Sequence, residues 1–282
     1  MENRIFSISK DFKYSQQFLD CMFTRKEITA LIVTILIVSF AIGFDDGSAS
    51  FQWGYWLSNL LIVFIMVSLS FIAHQLGHKI VARMNGFETE YHSWGIQSFS
   101  IMGALGKTKS KPFPRTIHLF GKEYLIYSFP LGLVLCLFVT ILSNGQLFFL
   151  AVGQYTLLLK KSSRFGRKFL EITHYDEAKI ALAGPIVSIV LMIIGKLFNT
   201  YGTFDTFVFI NAALALFHML PLPGLAGIKI YFGSRLLYVS SLVFMISMVI
   251  LAYTVSIIPM IFISFASLLI AGSFYYYYTY FK

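Results

Sequence analysis

Residues 56–82 read WLSNLLIVFIMVSLSFIAHQLGHKIVA, from Trp56 to Ala82, without a single acidic side chain. About 20 apolar residues, rising about 1.5 Å each, carry a helix across a bilayer. This stretch therefore predicts a membrane-spanning helix. Near its end stand His74 and His78, one turn apart and so on one face of that helix. At the same rise, His74 lies roughly 12 Å inside the end. Ionisable residues at such depth are rare and mark function.

The rest of the chain agrees. Of its 282 residues 57% are hydrophobic and 12% charged, with a mean hydropathy of +0.74. A soluble domain carries about 25% charged residues; half that charge cannot cover a globule in water. Apolar runs fall at Ile28–Phe44, Trp56–Ala82, Tyr124–Leu142, Leu147–Leu159, Ile180–Phe198, Phe204–Leu220, Leu236–Ile257 and Pro259–Tyr278. All but Leu147–Leu159 are long enough for a spanning helix. That run, with Gly153, Gln154 and Thr156, crosses extended only if buried against protein. The expectation is an all-α polytopic membrane protein with about 8 membrane segments and one membrane-embedded domain over residues 1–282.

Charge sets the expected orientation. With the N-terminus in the cytosol and every run counted as a crossing, all of the 22 Lys and Arg except Lys196 fall on the cytosolic side, as the positive-inside rule requires. Both termini are then cytosolic. The net charge of +9 reads as positive-inside loops, with no nucleic-acid partner. Met1–Lys26 lacks the short apolar core and small-residue cleavage site of a signal peptide. Two cysteines, Cys21 and Cys136, are too few for a closed cysteine zinc site. The glycine-punctuated connection Arg83–Glu123 contains Trp94–Leu105, too short to span and suited to a re-entrant or β-hairpin segment after the second span.

Three stretches carry chemistry. His74-Gln75-Leu76-Gly77-His78 has the spacing of H-E-x-x-H, in which two histidines bind zinc and the glutamate activates water. Taken alone, it also fits two hydrogen-bonded histidines between helices, or haem ligands. Ala183-Gly184-Pro185-Ile186-Val187-Ser188 opens the fifth run, where small residues allow close helix approach and proline suits a first turn. His218-Met219-Leu220-Pro221-Leu222-Pro223-Gly224-Leu225-Ala226-Gly227 breaks the end of the sixth, and broken backbone at membrane depth belongs beside a cavity. The topology puts all three at cytosolic ends.

Together these stretches resemble the site-2 protease family of intramembrane zinc metalloproteases, of the archaeal type, whose motifs are H-E-x-x-H, A-G-P-x-x-N/S and N-x-x-P-x-x-x-L-D-G. The likeness runs in family order over approximately residues 56–231 and includes Lys79-Ile80-Val81-Ala82-Arg83-Met84-Asn85-Gly86-Phe87. It implies one Zn2+ per active site, a transmembrane substrate protein as partner, and cleavage of a peptide bond in that partner's membrane segment. It implies His74 and His78 as metal ligands. Gln75 stands at the family's glutamate, the general base, and Ala226 at the aspartate that is the third ligand. His218 replaces an asparagine that positions substrate, and Gly184, Pro185, Pro221 and Pro223 fall in the substrate-positioning motifs. An opened substrate strand would pair with Trp94–Leu105 by edge addition.

The departures concern the reacting atoms. Glutamine cannot take a proton as a carboxylate does, and alanine offers no ligand atom. None of the 13 Asp and Glu lies within a predicted span near His74. Two imidazoles fall short of the three protein ligands of a catalytic zinc, so zinc is expected weakly bound or absent and the chain inactive. Either the chain is a deliberately silenced form of an active enzyme, or it is a natural pseudoprotease that binds membrane helices. A multi-spanning transporter or haem protein using His74 and His78 is the remaining alternative.

Overall fold

The computed structural model describes residues 22–45, 51–95, 115–119, 122–126, 129–159 and 172–280. It is mostly helical. Helix α1 (Arg25–Ile42) starts at a capping box: the Thr24 hydroxyl accepts from the Glu27 N–H, and the Glu27 carboxylate accepts from the Thr24 N–H. Helix α2 (Trp53–Met84) has 32 residues, about 48 Å at 1.5 Å each. That exceeds the roughly 30 Å of a hydrocarbon core, so it tilts or projects. It stops at Asn85 and Gly86, the glycine at φ 85°, a left-handed value that ends helices readily.

Strand β1 (Phe87–Ser93) follows, then a hairpin of β2 (Arg115–Leu119) and β3 (Lys122–Ile126), and helix α3 (Leu131–Leu142). Strand β4 (Gly153–Leu159) pairs antiparallel with β1, Tyr91 opposite Tyr155. The remaining helices are α4 (His174–Phe198), α5 (Asp205–His218), α6 (Ala226–Gly233), α7 (Arg235–Thr254) and α8 (Ile257–Tyr280). Helix α4 is the hub, packing on α2, α5 and α6. Among the described residues, α2, α4, α7 and α8 are long and apolar enough to cross a membrane. Their outward faces are hydrophobic (Phe262 is 72% exposed and Phe274 70%), consistent with a multi-pass membrane protein.

The apolar runs and the helices differ in places. The run Tyr124–Leu142 divides, because Pro130 stands at the N-cap of α3 and the residues up to Ile126 form β3. Leu147–Leu159 is extended and ends in β4; Leu150, Ala151 and Val152 are buried. The sixth run yields only the 14 residues of α5. Helix α1 has 18 residues but opens on Arg25, Lys26 and Glu27. Helix α4 begins at His174, capped by the Thr173 hydroxyl on the Asp176 N–H, so Pro185 is interior and not in a first turn. Of the expected re-entrant segment Trp94–Leu105, residues 96–105 lie outside the described residues.

Both outer edges of the β1–β4 ladder are held by charged side chains. The Trp94 N–H donates to Val152 O (2.7 Å). The antiparallel alternation then turns the backbone groups of Tyr91 and Tyr155 outward. On the β1 side, Tyr91 N–H donates to the Glu27 carboxylate (2.8 Å), while the Lys79 ammonium donates to that carboxylate and to Thr89 O (2.7 Å each). This buried pair joins α1, α2 and β1. On the β4 side, Lys229 donates to Tyr155 O (2.9 Å). Lys196, the one basic residue expected on the outer side, donates to Ala252 O and Val255 O and so caps the C-terminus of α7.

Candidate metal centre

The histidine pair sits where α2 crosses α4. Gly77, between the two histidines, permits the crossing: a Cβ there would stand 2.8 Å from Val187 Cγ2 and 3.0 Å from Ala183 O. Gly184 does the same from the other helix. A Cβ on it would fall 2.2 Å from His78 Nε2 and 2.7 Å from His74 Nε2, so the α4 backbone itself walls one side of the pair. Pro185 lacks the N–H that would have gone to the Ala181 carbonyl one turn earlier.

Both imidazoles are buried and oriented by α4. His78 Nδ1–H donates to Ile180 O (2.8 Å), and His74 Nδ1 pairs with the Ser188 hydroxyl (2.8 Å). A carbonyl only accepts, so His78 carries its proton on Nδ1 and presents a bare Nε2. The two Nε2 atoms are 3.3 Å apart and hydrogen-bonded: His74 Nε2–H donates to the bare His78 Nε2, and His74 Nδ1 then accepts from the Ser188 hydroxyl. Donors about 2.0–2.1 Å from a tetrahedral zinc stand about 3.3–3.4 Å from one another. The pair fits two corners of such a site, and the bonds at Nδ1 are the kind that orient metal-ligating histidines.

His218, the last residue of α5, is 3% exposed. Its ring centroid lies 4.4 Å from that of His74. Its Nδ1–H donates to Leu214 O (2.9 Å), and its buried Nε2 has no partner among the described residues. Among the described residues no three His, Cys, Asp or Glu side chains already converge as a full metal-holding group, since His218 packs beside His74 at 52° between ring planes. Gln75 is 4% exposed and Ala226, the first residue of α6, 2%. The next residue, Gly227, lies against the end of α5: a Cβ there would be 2.2 Å from Met219 O. The structure thus brings His74, His78, His218 and Gly184 together and buries Gln75 and Ala226. Pro221 and Pro223 are exposed, and Pro223 O accepts from Trp94 Nε1–H (2.7 Å).

Beside the pair runs an open groove of about 830 Å³ lined by Trp94, Gln154, Tyr155, Glu177, Pro223 and Lys229 among others. Tyr155 connects it to the histidines, with its ring 4.6 Å from that of His78. Lys229 Nζ lies 3.8 Å over the Tyr155 ring and 3.4 Å from a Glu177 oxygen. Burial pulls the Lys229 ammonium below the usual lysine range, against the opposing influence of Glu177. Gly224, at φ 90°, leaves room for Gln154, whose Oε1 would be 2.4 Å from a Cβ. Sequence reasoning missed Tyr155, Glu177 and Lys229 as parts of this site. Glu177 precedes the apolar run Ile180–Phe198, yet it rides the first turn of α4 and reaches His78 through Lys229 and Tyr155. The capping pattern Thr173-x-x-Asp176 was the available signal.

Comparison with known proteins gives one informative likeness. The chain is 28% identical over 218 residues to a Methanocaldococcus jannaschii protein named "Putative zinc metalloprotease", covering 74% of this chain and 84% of that protein. This distant similarity supports a metalloprotease family. No family model matches the chain, and no solved structure matches it significantly.

Proposed function

We propose that this chain is a single-domain, multi-pass membrane metalloprotease of the site-2 type, with its core over approximately residues 56–231, its site near the cytosolic face, and its bond-breaking chemistry silenced at Gln75 and Ala226. The observation that carries the reading is the His74–His78 pair. It is buried in the last third of a long apolar helix, with two Nε2 atoms at the spacing of tetrahedral zinc corners. The substrate is a transmembrane segment of another protein, locally unwound because its helical carbonyls are otherwise already bonded. The groove along the outer edge of β4 suits such an extended strand.

A bound zinc would polarise the scissile carbonyl and acidify water. The protein supplies the rest. Ser188 and the Ile180 carbonyl hold the imidazoles in register, Gly184 shuts one side against the α4 backbone, and Tyr155 packs on His78. Gln75 fills the position of the base without being able to take the proton. Restoring the base adds a factor of about 10²–10⁴ to proton transfer. The test is a membrane-embedded reporter incubated with the chain and with its Gln75→Glu, Ala226→Asp double variant. Chelator-sensitive cleavage by the double variant alone is the expected result. Cleavage by the unaltered chain refutes the silencing, and an inert, metal-free double variant refutes the protease assignment.

A further inference from the structure

Two buried atoms of the site lack a hydrogen-bond partner among the described residues, Tyr155 Oη and His218 Nε2, and the second is a potential metal donor. A nitrogen buried in an apolar bundle with no partner calls for a reason, and hydrogen-bonding needs at this helix end do not supply one, because Nδ1 already serves the Leu214 carbonyl. We propose that His218 binds a divalent transition-metal cation through Nε2 and, with His74 and His78, makes a three-imidazole site in place of one completed by a carboxylate at position 226. The inference rests on the metal-centre reading above and adds a ligand to it.

Three observations converge. First, His218 and His78 share one hydrogen-bonding state: each donates Nδ1–H to a backbone carbonyl, Leu214 O or Ile180 O, leaving Nε2 as a bare lone pair. His74 reaches that state by a change of tautomer, its proton moving from the Nε2 that bonds His78 to the Nδ1 that faces Ser188 Oγ. Metal-binding histidines are prepared in this way, the far nitrogen fixed so that the near one points its lone pair at the cation. Second, His218 is already in ring contact with His74 at 4.4 Å, and the His74–His78 edge has tetrahedral length. The three Nε2 atoms do not yet converge on one point; metal binding would draw them together. Third, position 226 offers only a methyl group. It stands beside Gly227, which packs on the residue following His218, so the start of α6 lies against the end of α5 that carries His218. Three neutral nitrogen donors suit zinc, cobalt or nickel over calcium or magnesium, which take oxygen. A fourth position stays open, as in other three-histidine sites.

The experiment uses the full chain in detergent micelles, titrated with Zn2+ or Co2+. X-ray absorption at the metal edge counts the imidazoles on the unaltered protein, so this arm does not depend on any variant folding. One metal per chain with three imidazoles is expected. His218→Ala should lower the count to two and weaken Co2+ binding at least about 10-fold. Adding Ala226→Asp to His218→Ala should recover most of the affinity. Two imidazoles in the unaltered chain, or an unchanged affinity for His218→Ala, overturns the proposal while leaving the metal centre standing. Metal held by the Gln75→Glu, Ala226→Asp variant but not by the unaltered chain overturns it too. Absence of metal from both removes the metal-centre reading and this proposal with it.

Discussion

Gly184→Ala puts the site geometry at risk with the smallest possible change. The added methyl would fall 2.2 Å from His78 Nε2, 2.6 Å from His78 Cε1 and 2.7 Å from His74 Nε2, where ordinary contact begins at 3.4 Å. Relief therefore needs more than an ångström of movement. The imidazoles cannot swing away freely, because Ile180 O and Ser188 Oγ hold their far nitrogens and both partners sit on the same helix as the new methyl. Helix α4 must back off from α2, or both hydrogen bonds must break. Overpacking of this kind costs about 1–3 kcal/mol. Metal affinity should fall further, by about 10–100-fold, the scale set by disturbing the groups that orient ligands. The control is Gly272→Ala, whose methyl would meet nothing closer than Ser240 Cβ at 3.8 Å. The assay pairs thermal unfolding in micelles with Co2+ titration. A Gly184→Ala chain that melts with the parent and binds metal equally well would mean that α4 does not wall the histidine pair, and the placement of the site would be wrong.

Two further outcomes follow from the packing and the charge pattern. Lys79→Met leaves the Glu27 carboxylate, 1% exposed, bonded to the Thr24 and Tyr91 N–H groups but without the ammonium that pairs its charge; a broken buried pair of this kind costs about 3–5 kcal/mol. Glu27→Gln keeps an oxygen for only one of those N–H groups, which bond different carboxylate oxygens, and leaves the Lys79 ammonium without its counter-charge, so it should cost a similar amount; equal melting of Lys79→Met and the parent chain would refute the pair's role. Tags at the two termini should be cut by protease only in inverted membrane vesicles, as the distribution of Lys and Arg requires; a tag cut from right-side-out vesicles refutes the orientation.

What the sequence disclosed, and what it withheld, follows from which signals are local. The His74–His78 pair was legible because spacing within one helix fixes a shared face regardless of tertiary structure. The start of α4 was legible in principle, since Thr173 and Asp176 form a local cap, but hydropathy alone placed the start at Ile180. The run Leu147–Leu159 could not be resolved by composition, because buried strands and buried helices are equally apolar. Its partner β1 decided the matter, and that pairing spans some sixty residues of chain. The groove was invisible for the same reason: Tyr155, Glu177 and Lys229 come from β4, α4 and α6, and no local pattern joins them.

His218 lies between these cases. Its place at the broken end of a run was readable, and two roles competed there: a helix-end histidine bonded to a carbonyl, or a donor in the site. The structure shows the first role, and the second is the proposal made above. Nδ1 bonds the Leu214 carbonyl one turn back, as a helix-end histidine would, and that bond is what strips Nε2 of its proton and leaves it as a lone pair beside His74. An imidazole has two nitrogens, so capping the helix and preparing a ligand are one arrangement seen from its two ends.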